Sequence, residues 1–187
     1  MTRRLGVYPG SFNPPTIGHL AIARAALHQR GLDRVDLMVS RVALGKELVD
    51  RPAFDDRIAV LEASVADIDG LEVAVTDHQL LADIARGYDV VVMGADKWAQ
   101  VLDPAFYGHS EQSRDQAVDA LSQLELAIAP RPPFEVPSGA ELFVDAELGP
   151  VSSSGARQGR PDWMTAAARA FDEATGAWSD PDLSGRP

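Results

Sequence analysis

The chain has no cysteine and only two lysines, Lys46 and Lys97, among its 187 residues. The absence of cysteine excludes disulfides and thiolate metal sites. Acidic residues outnumber basic ones, 28 against 17, and the formal net charge is -11. This balance argues against a nucleic-acid partner, because nucleic-acid binding draws most of its affinity from a broad basic surface. Any anionic ligand must therefore be bound by a small number of donors or cations close to one another.

Long apolar runs are also lacking. Arg3 and Arg4 are followed by an apolar stretch that Pro9-Gly10 interrupts, so we see no signal-peptide core. No segment has the apolar length of a membrane-spanning helix. With 45% hydrophobic and 24% charged residues, the composition is that of an ordinary globular protein. We expect a cytoplasmic protein without a membrane partner.

Short apolar runs alternate with segments of helical periodicity along most of the chain. The expected strands are Leu5–Tyr8, Arg34–Ser40, Leu71–Thr76, Asp89–Met93, Leu124–Ala129 and, as a sixth, Glu141–Ala146. The expected helices run from Thr16 to Gly31, onward from Pro52, over Gln79–Ala85, over Ser113–Leu121 and from Asp162 to Gly176. This alternation predicts an α/β fold whose mostly parallel sheet of five to six strands is covered on both faces. Residues 1–176 are expected to form a single domain, followed by a loose tail over 177–187.

The first expected strand leads into a tight loop, Pro9 to Pro15, and then into the tetrad Thr16-Ile17-Gly18-His19, where a helix begins. A helix start presents unpaired backbone N–H groups and the positive end of the helix dipole. Thr16 and His19 add a hydroxyl and an imidazole beside them. This combination suits a phosphate group.

The segment Gly10 to His19 resembles the signature of the nucleotidylyltransferases, a glycine-aromatic loop followed by His-x-Gly-His or Thr-x-Gly-His. A second signature of that family, Ile-Ser-Ser-Thr/Ser-x-x-Arg, resembles Val151-Ser152-Ser153-Ser154-Gly155-Ala156-Arg157. The two motifs in this order form a specific signal. The resemblance implies a Rossmann-like three-layer α/β/α fold. It also implies an enzyme that transfers a nucleotidyl group, expected to be adenylyl from Mg-ATP, to a small phosphorylated acceptor with release of pyrophosphate.

The same resemblance assigns roles to the first signature. His19 would donate to the phosphates as the transition state forms, and Thr16 would support the same oxygens. Gly18 would let the ligand approach the backbone closely. Backbone amides would come from Gly10, Ser11 and Phe12.

In the second signature, Ser152, Ser153 and Ser154 would form another anion site, and Arg157 would hold the leaving pyrophosphate. Lys46 lies on the loop after the second strand, where the family commonly has a cation that reaches the phosphates. A solvated loop charge is the alternative for Lys46. Arg51 and Arg57 are weaker candidates.

Gly94-Ala95-Asp96 resembles a segment that lies near the nucleotide ribose in the pyridine-nucleotide branch, so Gly94 and Asp96 are further binding candidates. Trp98 could stack on a planar ring or pack beneath the following loop. Magnesium is expected with the ATP. The histidines show no metal-ligand spacing, so no protein metal site is expected.

The acceptor is less certain than the reaction. Phe12-Asn13-Pro14-Pro15 and Pro130-Arg131-Pro132 are similar to enzymes that adenylylate nicotinate or nicotinamide mononucleotide in NAD biosynthesis. Thr16 stands where the bacterial nicotinate branch usually has histidine, and the triple serine is as similar to phosphopantetheine adenylyltransferases. Phosphopantetheine as acceptor, or cytidylyl transfer to a small phosphate ester, is therefore an alternative. A third hypothesis is a non-catalytic nucleotide-binding protein in which residues 103–123 occlude the acceptor pocket. Homo-oligomerisation is left open.

Overall fold

The computed structural model describes residues 3–42 and 52–179. Within these ranges, five strands form one sheet in the order β3-β2-β1-β4-β5, and all four pairings are parallel. The strands are β1 (Leu5–Pro9), β2 (Arg34–Ser40), β3 (Leu71–Thr76), β4 (Val90–Gly94) and β5 (Glu125–Ala129). The chain moves outward from β1 to β3 and then returns to the other side of β1. The strand order therefore reverses between β1 and β4, which is where open parallel sheets form a crevice at the carboxyl ends of their strands.

Helices cover both faces of the sheet. They are α1 (Ile17–Gln29), α2 (Phe54–Val65), α3 (Leu81–Ile84), α4 (Ala95–Leu102), α5 (Glu111–Ser122), α6 (Ser153–Arg157) and α7 (Ala166–Thr175). Tyr8 and Val92 point into an apolar cluster shared with α1 and α2. Their strand neighbours Val7 and Val91 point into a second cluster, shared with α3, α4 and α5. Because successive side chains of a strand point to opposite faces, these two clusters establish the predicted three-layer architecture. No helix in the described ranges is long and apolar enough to cross a membrane.

The predicted sixth strand, Glu141–Ala146, is wrong. Only Glu141 forms a bridge, to Ile128 of β5, after which the side-chain amide of Gln29 binds both the N–H of Phe143, at 3.0 Å, and its carbonyl, at 2.8 Å. Leu142 is nevertheless fully buried. The apolar residue that suggested a strand therefore does pack in the core, but α1 takes the backbone groups that would have extended a ladder.

The C-terminal region also departs from expectation. Asp162 lies in a 3-10 turn and does not begin the last helix. That helix begins at Ala166, because the Thr165 hydroxyl accepts from the Ala168 N–H at 3.2 Å and caps its N-terminus. It ends, as predicted, at Gly176, whose φ is 65°. Residues 177–179 are not loose, since Trp178 is only 7% exposed.

Candidate active site

The loop after β1 is built around the ring of Phe12. Phe12 has a positive φ of 44°, which turns its side chain inward, where it is 2% exposed. Its ring lies edge-on to Tyr8 at 5.4 Å and to His19 at 5.1 Å between centroids. The ring of Phe12 therefore packs directly against the imidazole, and edge-to-face contacts of this kind favour one orientation.

Gly10 serves this packing and does not offer its amide to a ligand. Its N–H donates to the Met38 carbonyl of β2 at 3.1 Å, so that part of the prediction is wrong. A Cβ at Gly10 would lie 2.9 Å from the tip of the Phe12 ring. Glycine is needed here because Phe12 fills the space that a side chain would take.

Thr16 and His19 cap α1 reciprocally. The Thr16 hydroxyl accepts from the His19 N–H at 3.3 Å, and His19 Nδ1 accepts from the Thr16 N–H at 3.0 Å. Since Nδ1 accepts, the neutral imidazole carries its proton on Nε2. Thr16 therefore fixes both the orientation and the tautomer of His19, and leaves Nε2–H as a donor.

The electrostatic environment keeps this imidazole uncharged. Burial lowers the pKa of His19 to about 4, and the positive charge of Arg131 acts in the same direction. At neutral pH, His19 is therefore a neutral hydrogen-bond donor rather than a cation. Near a triphosphate the ring would meet negative charge, which favours the protonated form and raises the pKa again.

This environment predicts the titration of His19 in the free protein. Nitrogen-proton correlation spectra should show a neutral ring, protonated on Nε2, from pH 8 down to about pH 5. Protonation should become visible only as the pH approaches about 4. Replacing Arg131 with methionine, which removes the charge and keeps the length, should raise the midpoint. A midpoint near 6.5, the ordinary pKa of histidine, would contradict the assigned environment of His19.

The same shift has a consequence for stability. Between about pH 6.5 and 4, the unfolded chain binds a proton at His19 that the folded chain does not. Acidification through this range therefore favours unfolding. The contribution of His19 to stability is present in full above the unfolded pKa and is lost as the pH falls.

The second signature forms the short helix α6. The Ser152 hydroxyl accepts from the Gly155 N–H at 3.1 Å and caps the helix. A Cβ at Gly155 would lie 2.3 Å from the ring of Trp163. Trp163 therefore packs directly on the α6 backbone, and only glycine leaves it room.

The structure joins the two signatures. The Ser153 hydroxyl donates to the Pro14 carbonyl at 2.8 Å. Arg157 donates to the Asn13 carbonyl from one terminal nitrogen and to the Ser154 hydroxyl, at 3.3 Å, from the other. A guanidinium has five N–H donors, so Arg157 keeps others for a ligand.

Gly18 belongs to the same junction. A Cβ at this position would lie 3.1 Å from the Val151 side chain at the start of the second signature. The close approach that glycine permits here is therefore between the two signatures. A role for Gly18 toward a ligand stays a prediction.

The start of α4 and the loop that follows β5 meet at an ion pair, a contact that sequence reasoning did not predict. Arg131 Nε lies 3.5 Å from Asp96 Oδ1, and a terminal nitrogen of Arg131 donates to the Val151 carbonyl at 3.2 Å. A Cβ on Gly94 would lie 2.4 Å from the Asp96 carboxylate. Gly94 thus lets Asp96 fold back toward Arg131. The signals for Arg131 were its position after a parallel strand and the resemblance of Pro130-Arg131-Pro132 to the pyridine-nucleotide branch.

The remaining candidates are less central. Trp98 is partly buried against the cluster beneath α4 and α5, which favours the packing interpretation. The Arg57 guanidinium lies over the Phe54 ring at 5.4 Å and braces its own helix. Lys46 and Arg51 lie outside the described residues. Within the described ranges, no group of three His, Asp or Glu side chains is placed to hold a metal ion.

The first signature and the residues bound to it carry three kinds of donor. They are the His19 Nε2–H, the Arg157 guanidinium and the start of α1, whose first amides have no partner within the helix. Such groups can neutralise charge that develops on phosphate oxygens. They are suited to phosphoryl or nucleotidyl chemistry in which the attacking oxygen is already anionic.

Comparison with known proteins agrees with this geometry. A family model described as cytidylyltransferase-like matches residues 7–159. A phosphopantetheine adenylyltransferase from Sphingopyxis alaskensis is 40% identical over 95 residues, which are 49% of this chain and 52% of that protein. The same enzyme from Latilactobacillus sakei is 37% identical over 86 residues, 46% of this chain and 49% of that protein. A probable nicotinate-nucleotide adenylyltransferase from Listeria monocytogenes is 27% identical over 107 residues, 57% of this chain and 55% of that protein. The chain thus spans about half the length of the curated relatives it matches.

Proposed function

Because the chain belongs to the cytidylyltransferase-like family, we propose that it is a nucleotidylyltransferase that transfers an adenylyl group from Mg-ATP to a small phosphorylated acceptor. One observation carries this proposal. Arg157 and Ser153 of the second signature bond to the Asn13 and Pro14 carbonyls of the first. The Arg157 guanidinium is thereby held at the loop that leads to the neutral imidazole of His19. A polyphosphate ligand needs several donors of this kind close together.

The reaction needs little covalent chemistry from the protein. A phosphate oxygen of the acceptor attacks the α-phosphorus of ATP, and the bond from that phosphorus to the oxygen bridging the α- and β-phosphates breaks. Pyrophosphate leaves with the bonding electron pair. The attacking oxygen is already an anion, so no general base is required. Catalysis then consists of positioning and of stabilising charge on the phosphates.

His19, Thr16 and Arg157 have different roles in this reaction. His19 Nε2–H donates to a phosphate oxygen on which charge increases. Thr16 contributes by holding the imidazole, because its N–H and hydroxyl both contact Nδ1. The free N–H groups of Arg157 face the departing pyrophosphate. Mg²⁺ enters as the counterion of the nucleotide substrate and reduces the triphosphate charge that would oppose attack.

For the acceptor we propose nicotinate or nicotinamide mononucleotide, which would place the reaction in cytoplasmic NAD biosynthesis. Support comes from two segments that resemble the pyridine branch, Gly94-Ala95-Asp96 and Pro130-Arg131-Pro132. In the structure, an ion pair between Asp96 and Arg131 joins them. Phosphopantetheine is the second candidate. The higher identity of the relatives named phosphopantetheine adenylyltransferase, 40% against 27%, favours it.

An acceptor panel tests the function. Purified protein is incubated with ATP or CTP and with nicotinate mononucleotide, nicotinamide mononucleotide or 4′-phosphopantetheine, and pyrophosphate release is measured. We expect release with ATP and a pyridine mononucleotide. Pyrophosphate release with 4′-phosphopantetheine alone would show that phosphopantetheine, and not a pyridine mononucleotide, is the acceptor. ATP binding measured by calorimetry, without release in any mixture, supports the non-catalytic hypothesis instead.

A further inference from the structure

The C-terminal segment 161–179 lies beyond the residues that the family model matches, which end at 159. It nevertheless contacts both signatures. Trp163 packs on Gly155 of α6, the Thr165 N–H donates to the Pro15 carbonyl at 3.1 Å, and Met164 bridges Thr16. The segment therefore lies along the junction on which the site depends.

The end of this segment is folded back by specific contacts. Gly176, in the left-handed conformation, ends α7 and reverses the chain. The Asp172 carboxylate, 5% exposed, then accepts from the Trp178 N–H at 2.7 Å and the Ser179 N–H at 3.1 Å. The Phe171 ring lies 5.6 Å from that of Trp178. The two hydrogen bonds to Asp172 fix the backbone at Trp178, and the Phe171 ring packs beside the indole.

Trp178 uses this fixed orientation to hold one residue of the first signature. Its indole N–H donates to the side-chain oxygen of Asn13 at 2.6 Å, in a buried position. Asn13 is itself 8% exposed, and its backbone carbonyl accepts from Arg157. Asn13 is thus bound by Trp178 through its side chain and by the second signature through its backbone.

We propose that Trp178 is a positioning residue that, through Asn13, holds the loop carrying His19 in its working geometry. The proposal deepens the proposed function and rests on it for its kinetic consequence. Its structural consequence, an immobilised signature loop, does not depend on the reaction. A buried acceptor that loses its donor is costly to leave unpaired, so removing the indole N–H should loosen the loop.

The test compares two variants of the full chain. Trp178→Phe keeps an aromatic ring, removes the N–H donor and reduces the buried volume. Phe171→Leu disturbs the same apolar cluster without touching Asn13, and so serves as the matched control. Hydrogen–deuterium exchange of peptides covering residues 10–19 is measured in both. We expect exchange in the Trp178→Phe variant to rise by about 10-fold, and exchange in the control to stay at the wild-type level.

Where the wild type turns over, kinetics add a second readout. Trp178→Phe should lower kcat by about 10-fold with little change in KM for ATP, because misplacing a donor affects the transition state more than binding. Phe171→Leu should lower the thermal midpoint and leave kcat intact. Unchanged loop exchange in Trp178→Phe, or an equal kcat loss in both variants, overturns the proposal. A wild type without turnover refutes only the proposed function, since loop exchange still decides the role of Trp178.

Discussion

Replacing His19 with alanine is expected to reduce kcat by about 10²–10³-fold, the usual effect of removing one donor from a charge-stabilising site. The imidazole is neutral in the free protein. Because its Nδ1 accepts from the Thr16 N–H, its proton is on Nε2, and this N–H can donate to a ligand. Loss of that donor weakens the transition state, where phosphate charge is greatest, more than the bound ground state. KM for ATP should therefore change much less than kcat.

Two further variants separate catalysis from helix capping, because His19 performs both roles. The side-chain oxygen of His19→Asn can replace Nδ1 as the acceptor for the Thr16 N–H, but no donor remains at the position of Nε2. His19→Gln places an amide N–H near Nε2 and loses the cap. We expect the asparagine variant to be stable and inactive. The glutamine variant should keep part of the activity and lose about 1 kcal/mol of unfolding free energy.

Pyrophosphate release and thermal unfolding, measured on the same preparations, distinguish these outcomes. If the asparagine variant retained near-normal turnover, His19 would be only a capping residue, and the donor role would have to be abandoned. If all three variants were unfolded, the loss of folding rather than the loss of the donor would explain any loss of turnover.

Much of the sheet could be predicted from sequence. The strands β2 and β3 have the predicted bounds, because short runs dense in branched apolar residues have few other stable arrangements. The run Val90 to Met93 was expected in a central strand and is at most 1% exposed. These are local signals, and they do not require knowledge of a distant contact.

The glycines of the signatures show where sequence reasoning ends. Gly18 was expected to make room for a ligand, yet the nearest atoms to a Cβ there belong to Val151, 133 positions further along the chain. Gly155 makes room for Trp163. A motif reveals that a position needs glycine, but only the fold reveals what occupies the freed space.

The contribution of the C-terminal segment could not be predicted for the same reason. Trp178 stands in a stretch rich in small and polar residues, which is typical of a loose tail. Its burial depends on the Asp172 carboxylate and on the distant side chain of Asn13. Arg131 likewise acquires its electrostatic effect on His19 only when the sheet brings the carboxyl ends of β1 and β5, on either side of β4, to the same edge.

Arg157→Ala is expected to lower kcat/KM for ATP by about 100-fold. The variant removes the cation proposed to face the leaving pyrophosphate, and it also breaks the bond to the Asn13 carbonyl that joins the signatures. Arg157→Lys keeps the charge but cannot donate to the loop and a phosphate at once, because it lacks the planar fork of the guanidinium. The kcat/KM of Arg157→Lys should therefore lie between that of the wild type and that of Arg157→Ala.

Arg160→Ala is the matched control, three positions away in the same segment. Arg160 is exposed, donates to Asp162 at 3.0 Å and 2.7 Å, and lies over the Trp163 ring at 4.3 Å. Its replacement removes the same charge from the same region without reaching the first signature, so kcat/KM should stay within about 2-fold of wild type. If Arg160→Ala and Arg157→Ala reduced kcat/KM equally, general electrostatic attraction of ATP would explain the effect. If only Arg157→Ala lowers kcat/KM, the position of the guanidinium where the two signatures meet, and not its charge alone, explains the effect.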